Sequence, residues 1–379
     1  MIAWADMQVS LQSTGNFTDS LRNIKSSYER LSSVLDAVPL LDAVDKHFGG
    51  KAPDWLRGSI TNPDPNSAFW ATRNQSNALG NAKIPILLTT GWDDLMLNTV
   101  MDQHAHLQAR GAKVGLTIGP WTHGSGAGSN GVAATLAWLE EYYTRRKVGE
   151  RKELVRVFIT GAEVWRDMPL WPPQTTASTL FLSSGGKLTP REPSSSSLKK
   201  EEESSFVFDP TKPTPSIGAP MLLDSGTLRT ADDSILASRA DVVTFTTTPL
   251  QDDVEVCGRI AVELYHATST PHADIWVLIS EVKKSGRSRS IADCYLRLDP
   301  DRDQGQPLRL TLHDCGHRFS KESRIRLLVA GSSHPRYIRN LGTGDGTAMG
   351  DKVKTVTHTI QHNQNAVSKL TLPTCVFSK

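Results

Sequence analysis

No stretch of about 18 or more consecutive apolar residues occurs in the 379-residue sequence, so no membrane-spanning helix is expected. The opening segment, MIAWADMQVSLQSTG, lacks the basic-then-apolar order of a secretory leader. Cysteine is scarce: Cys257, Cys294, Cys315 and Cys375 all fall in the last third, without the close pairing of a zinc or redox motif. They are expected as buried free thiols. Charge of one sign is not in excess either, with 42 Lys and Arg against 40 Asp and Glu and a net charge of +2. The basic residues are scattered rather than gathered in a stripe, which argues against nucleic acid or an acidic membrane as partner. A cytoplasmic protein with no cofactor and no metal is the expectation.

With 38% hydrophobic and 22% charged residues, the sequence has the balance of a globular protein and is too long for one ordinary core. Residues 1–80 read as helical, with apolar spacing at Leu31, Val34, Leu35 and Val38, and are broken by Asn62-Pro63-Asp64-Pro65. From residue 81 to 175 strand and helix alternate. IPILLTT and KVGLTIG are short apolar runs of the kind covered on both faces in a parallel sheet, and LVRVFITG is a third. Between them lie helical patterns at about Leu95 to Arg110, closed by Gly111, and about Ala133 to Arg146.

From residue 176 to 379 the helices stop and short alternating strands follow one another: TLFLS, FVFD, VVTFTTT, VEVCGRIAVELYH, DIWVLISEV, CYLRL, PLRLTL, RIRLLVAG, VKTVTHTI and KLTLP. Such a series predicts a sandwich or jelly roll. The stretch PREPSSSSLKKEEESS is too polar to order itself and reads as a solvated insertion. The fold class expected is therefore α/β plus all-β: a partial α/β sheet with helices before it and a jelly-roll β-sandwich behind it.

In an open α/β sheet, residues just after neighbouring strands gather at one rim. Asp94 and His123 are both placed this way, separated by the length of one crossover helix and one return strand. A carboxylate that accepts the imidazole Nδ1 proton fixes the tautomer and frees Nε2 to move a proton for a nucleophile. Loop Asp and His residues also commonly cap helices or face water, and spacing alone leaves that alternative open.

IPILLTTGWDD followed by GPWTHG is similar to the acid and histidine motifs of the X-prolyl dipeptidyl-peptidase and cocaine esterase family of α/β-hydrolases. By that resemblance Asp94 is the triad acid, His123 the base, and Asp93 fills the variable slot of Gly-Trp-x-Asp. The likeness runs from about Asn62 to the C-terminus through NPDPNSAFW, VFITGAEVWRDMPLWPP, FDPTKPTPSIGAP and VAGSSHPRYIRNLGTG. It implies a helical cap remnant over residues 1–80, the C-terminal half of a hydrolase domain over 81–175 and a jelly roll over 176–379. It further implies serine-type hydrolysis of a small ester, an amide or a short X-proline peptide.

The family's nucleophile lies in a Gly-x-Ser-x-Gly elbow, and no such pentapeptide occurs in this sequence. Ser125 and Ser129, in GSGAGSNG, have no strand before them and read as a flexible loop. An Asp-His pair without an attacking atom is expected to be inactive alone. Three explanations follow: a truncated gene model, a split enzyme completed by an N-terminal companion fragment bearing the nucleophile, or an inactive binding or assembly module. The first is expected, because Met1 falls inside the expected cap. Three parallel strands would also leave an unpaired edge that calls for a cover.

Trp92 and Trp121 flank the pair and either wall an apolar acyl pocket, with Leu95 and Met96 on its floor, or pack in the core beneath the rim. His104 and His106 are expected to be solvated. Gly342 to Gly346 reads as a turn between sandwich strands. The spacing of His313, His317 and His334 speaks against a metal.

Overall fold

The computed structural model describes residues 1–14, 30–74, 76–126, 129–146, 151–192, 202–218, 231–363 and 365–377. Of the polar stretch expected as an insertion, residues 193–201 lie outside the described residues.

The first part is helical, with Ile2–Thr14, Leu40–His47 and Asp54–Thr61 as its longer pieces. Apolar residues one turn apart, such as Leu40 and Val44 or Leu56 and Ile60, turn the same face inward. They form one cluster with Leu31 and Val34, and Ala348 from the far end of the chain joins it. The Leu41 amide donates to the Ala348 carbonyl at 2.9 Å, and Asp36 accepts from His334 Nε2 at 2.7 Å. The helices are thereby tied to the β-rich part.

Four strands make the small sheet, in the order β1 (Ile86–Gly91), β2 (Val114–Gly119), β3 (Val155–Ile159) and β4 (Val164–Met168). The first three are parallel and β4 is antiparallel to β3. All six residues of β2 are buried. Leu116 and Ile118 share a cluster with Leu97 and Met101 of the crossover helix Leu97–Ala109. On the other face Gly115 lies under Trp138 of the helix Ser129–Thr144. A strand covered on both faces carries the continuous apolar run that the sequence shows.

The remaining strands are β5 (Thr176–Ser183), β6 (Lys187–Thr189), β7 (Glu203–Phe208), β8 (Val242–Thr246), β9 (Val254–Thr268), β10 (Asp274–Val282), β11 (Ser288–Arg297), β12 (Leu308–Phe319), β13 (Arg324–Ala330), β14 (Val356–Gln361) and β15 (Lys369–Cys375). One layer runs β11-β10-β13-β8 and the other β6-β5-β15-β9-β14-β7, with β12 also on β9. Lys187 pairs with Thr246 where they join, and the Thr246 amide donates to the Gly186 carbonyl at 2.8 Å. Ile275, Val277 and Ile279 of β10 face Val256, Ile260 and Val262 of β9 across the core, while Trp276 and Leu278 turn outward onto Leu236 and Leu328. That alternation with period two is what makes a jelly-roll sandwich legible in sequence.

Sheet and sandwich are fused. Cys257 and Cys375 of the sandwich pack with Trp92, Ile159 and Trp171 of the α/β part. The Thr160 amide donates to the Gly316 carbonyl at 3.0 Å, and the Arg318 amide donates to the Thr160 carbonyl at 2.8 Å. Asp314 accepts from the Trp171 indole at 2.8 Å and from Arg259 Nε at 2.7 Å, and the other arm of Arg259 reaches Asp102 on the crossover helix. His104, expected in solvent, is instead 1% exposed on that helix. Burial pushes its imidazole below the ordinary histidine range. The thiols are free as expected, with Cys294 half-buried and the other three buried.

Candidate active site

β1 and β2 run side by side and stop at the same rim, with Gly91 opposite Gly119. Their exit loops are zipped together. The Trp92 amide donates to the Gly119 carbonyl at 2.9 Å, and the Asp93 amide donates to the Trp121 carbonyl at 3.0 Å. This approach requires glycine at both strand ends. A Cβ on Gly91 would lie 2.0 Å from the Trp121 oxygen, and one on Gly119 would lie 2.3 Å from the Trp121 ring. The glycines of Gly-Trp-Asp-Asp and Gly-Pro-Trp-Thr-His are therefore spacers that let two loops touch.

Asp94 and His123 meet across that seam. His123 Nδ1 lies 3.1 Å from Asp94 Oδ1. An ionised carboxylate can only accept, so the proton of this contact sits on Nδ1. Asp94 is itself held in place: Oδ1 also accepts from the Met96 amide at 2.8 Å, and Oδ2 accepts from the Thr90 hydroxyl at 3.2 Å. The carboxylate side chain is 8% exposed whereas the imidazole is 46% exposed. A buried, three-donor carboxylate thus holds a ring that is itself half exposed.

The other residues singled out in sequence sort as follows. Asp93 is buried beside the seam, and its backbone amide helps to join the two loops. Trp92 and Trp121 are buried and pack as core: the Trp92 indole donates to the Phe158 carbonyl at 2.7 Å, and Trp121 leans on Trp165. Leu95 and Met96 are exposed at the rim. The Ser125 hydroxyl is bonded within its own turn, 2.9 Å from both the Thr122 amide and the Thr122 hydroxyl, and is not directed at His123. Ser129 has no described side chain. Thr90 was not foreseen, although a hydroxyl one helical turn's length before the acid, at the tip of β1, was the available signal.

The histidines of the sandwich serve packing. His317 lies between Glu281 at 3.3 Å and the Thr160 hydroxyl at 2.8 Å, His334 holds Asp36, and His313 lies 3.3 Å from Asp293. Among the described residues no group of three or more His, Cys, Asp or Glu side chains is arranged to hold a metal, and no helix is long and apolar enough to cross a membrane.

Parallel strands that bring a carboxylate and an imidazole to one rim, with a jelly roll fused behind, have the architecture of the α/β-type serine hydrolases that carry an added β domain. Residues 146–371 match the X-Pro dipeptidyl-peptidase C-terminal non-catalytic domain, and residues 4–125 match the X-Pro dipeptidyl-peptidase S15 family. The chain belongs to the X-Pro dipeptidyl-peptidase family. It is 26% identical over 348 residues to a cocaine esterase of Rhodococcus sp. (strain MB1 Bresler), a match that takes in 83% of this chain and 60% of the relative. Among solved structures, an aminopeptidase from a marine sediment Thaumarchaeota archaeon superimposes with a TM-score of 0.76 at 21% identity, over 88% of this chain and 62% of the other. An α-amino acid ester hydrolase does so with a TM-score of 0.74 at 20% identity, over 88% and 63%. At these identities the two structures establish the shared fold. The chain spans about 60% of the length of the curated relative it matches.

Proposed function

We propose that Asp94 and His123 are the acid and base of a serine-type acyl hydrolase whose attacking serine is not among these 379 residues. The serine comes from further polypeptide, either continuous with this chain or a companion fragment. Its hydroxyl attacks the carbonyl carbon of a small ester, amide or short peptide as its proton passes to His123 Nε2. Collapse expels the alcohol or amine, which takes that proton. Water then repeats the sequence to release the acid and regenerate the serine, with Asp94 holding the ring throughout.

The observation that carries this reading is the Asp94–His123 contact at 3.1 Å, made by a buried carboxylate to a half-exposed imidazole. The names of the relatives, an esterase, an aminopeptidase and an amino acid ester hydrolase, support acyl transfer as the reaction class. A cytoplasmic setting belongs to the same proposal and is supported by the unpaired thiols.

The absence of Gly-x-Ser-x-Gly from the 379 residues favours a second reading, a non-catalytic binding or assembly module. A fluorophosphonate probe separates the two. The 379 residues alone should remain unlabelled. A polypeptide that adds a Gly-x-Ser-x-Gly elbow should label, and His123→Ala should abolish both labelling and ester turnover. A folded, elbow-containing protein that ignores the probe supports the binding module.

A further inference from the structure

Three of the four cysteines meet on neighbouring strands where the sandwich joins the small sheet. Strand β9, which carries Cys257, pairs with both β15 and β12. Cys375 is the last residue of β15 and stands opposite Glu255, while Cys315 of β12 stands opposite Gly258. Cys315 faces the sandwich core, whereas Cys257 and Cys375 face the other way, among Trp92, Trp171 and Ile159 of the α/β part. Cys257 and Cys375 are thus diagonal neighbours on one face of an antiparallel pair.

A buried cysteine usually serves as a small apolar side chain, and Cys315, which reaches the Gly258 carbonyl at 3.6 Å, fits that role. The other two are set apart by what surrounds them. The Cys257 thiol is hydrogen-bonded to the Cys375 sulfur, and that bond holds Cys375 below the ordinary thiol range. Burial and the Glu255 charge oppose the shift, and the Arg166 guanidinium, which lies over the Phe377 ring at 5.0 Å, supports it. Glu255 is itself matched, since Arg318 Nε donates to it at 2.6 Å. The same bond, with burial, holds Cys257 far above the ordinary range. One sulfur is therefore the donor and its neighbour the nucleophile. Access comes from the strand end: Cys375 is 9% exposed and is followed by Val376 at 97%, whereas Cys257 is fully buried.

We propose that Cys375 and Cys257 form an oxidisable pair, in which a small hydroperoxide oxidises Cys375 and Cys257 then closes a disulfide that ties the end of β15 to β9. The Cys375 thiolate attacks the peroxide oxygen, the O–O bond breaks, and water or an alcohol leaves as the sulfur becomes a sulfenic acid. Cys257 gives up its proton as its sulfur displaces the hydroxyl, so that one water is released and the S–S bond forms. The peroxide gains the two electrons that the two thiols lose. The pairing of β15 with β9 is irregular between Thr371 and Thr374, and a strand end beside such an irregularity can make the small backbone shift that a disulfide needs. The bridge would lie against Trp92, whose amide holds the loop of Asp94 to that of His123.

The test treats the folded, full 379-residue chain with hydrogen peroxide, blocks the remaining thiols and maps the peptides by mass. A cross-linked Cys257–Cys375 peptide two hydrogens lighter should appear, be reversed by dithiothreitol, and quench the fluorescence of Trp92 and Trp171. Iodoacetamide should reach Cys375 at least about tenfold faster than Cys294, which is the more exposed thiol but is pushed up to about 11 by burial. In Cys257→Ser a sulfenic acid should persist on Cys375 and be trapped by a cyclic 1,3-diketone, and Cys294→Ser should leave the bridge unchanged. Should Cys257→Ser fail to fold, the peptide map and alkylation order of the unaltered chain decide alone. Oxidation of Cys294 ahead of Cys375, equal alkylation of the two, or a bridge that forms only in denaturant would each overturn the proposal.

Discussion

Every residue of β10 in the sandwich is buried, while four of the six residues of β1 in the small sheet are half-buried. Both strands are apolar runs of similar character. The difference lies in what surrounds them. β10 is paired on both edges, by β11 and β13, and covered on both faces. Among the described residues β1 is paired only with β2, and one of the helices packed against it, Ser129–Thr144, shows an apolar stripe to solvent. The sandwich closes its own core, whereas the small sheet that carries Asp94 and His123 leaves β1 half covered among the described residues.

The comparison is sharpened most by core truncation. Phe245, fully buried in the sandwich, should cost about 3 to 5 kcal/mol when replaced by alanine. Leu136→Ala on the open helix should change stability by less than about 0.5 kcal/mol. Denaturant unfolding of the two variants checks this, and equal losses would break the contrast.

Acid should act next, and on the sandwich. His266 Nε2 lies 3.0 Å from His358 Nδ1, and Arg302 donates to the His266 carbonyl at 2.6 Å. Burial holds His266 well below the usual histidine range, the neighbouring His358 adding to it, and burial takes His358 down to about 3. The unfolded chain therefore binds protons that the folded chain refuses. Their contribution is complete above the ordinary value of 6.5 and is lost as pH falls from there, for His358 toward about 3, at about 1.4 kcal/mol per pH unit for each ring. Melting temperature against pH reads the slope, and His358→Gln should flatten it.

A smaller effect is expected at the seam. Gly119→Ala would press a methyl into the Trp121 ring and should cost about 1 to 3 kcal/mol while separating the two loops. Unfolding measures the cost, and loss of the downfield proton shared by His123 and Asp94 reports the separation.

Much of this was legible because period and punctuation are local. The apolar runs of β1, β2 and β3, the alternation of β9 and β10, and the two glycine-tryptophan motifs all stand within a few residues. What escaped did so for physical reasons. β4, VWRDM, has its apolar Val and Trp exposed ahead of a half-buried Arg-Asp pair, and β6 is three residues long, so neither carries an alternation to read. His104 completes a stripe with Leu97, Met101 and Leu107, a pattern that predicts burial whatever the fourth residue type. The Arg259 link between Asp102 and Asp314 joins residues far apart in sequence, and only the fused packing of sheet and sandwich brings them together.

Nitrogen-15 NMR of the His123 ring tests the central claim most directly. The account predicts a proton on Nδ1 and a bare Nε2, with Asp94→Asn disturbing that tautomer and leaving the fold intact. A ring protonated on Nε2 in the unaltered chain, or one indifferent to Asp94→Asn, would contradict it.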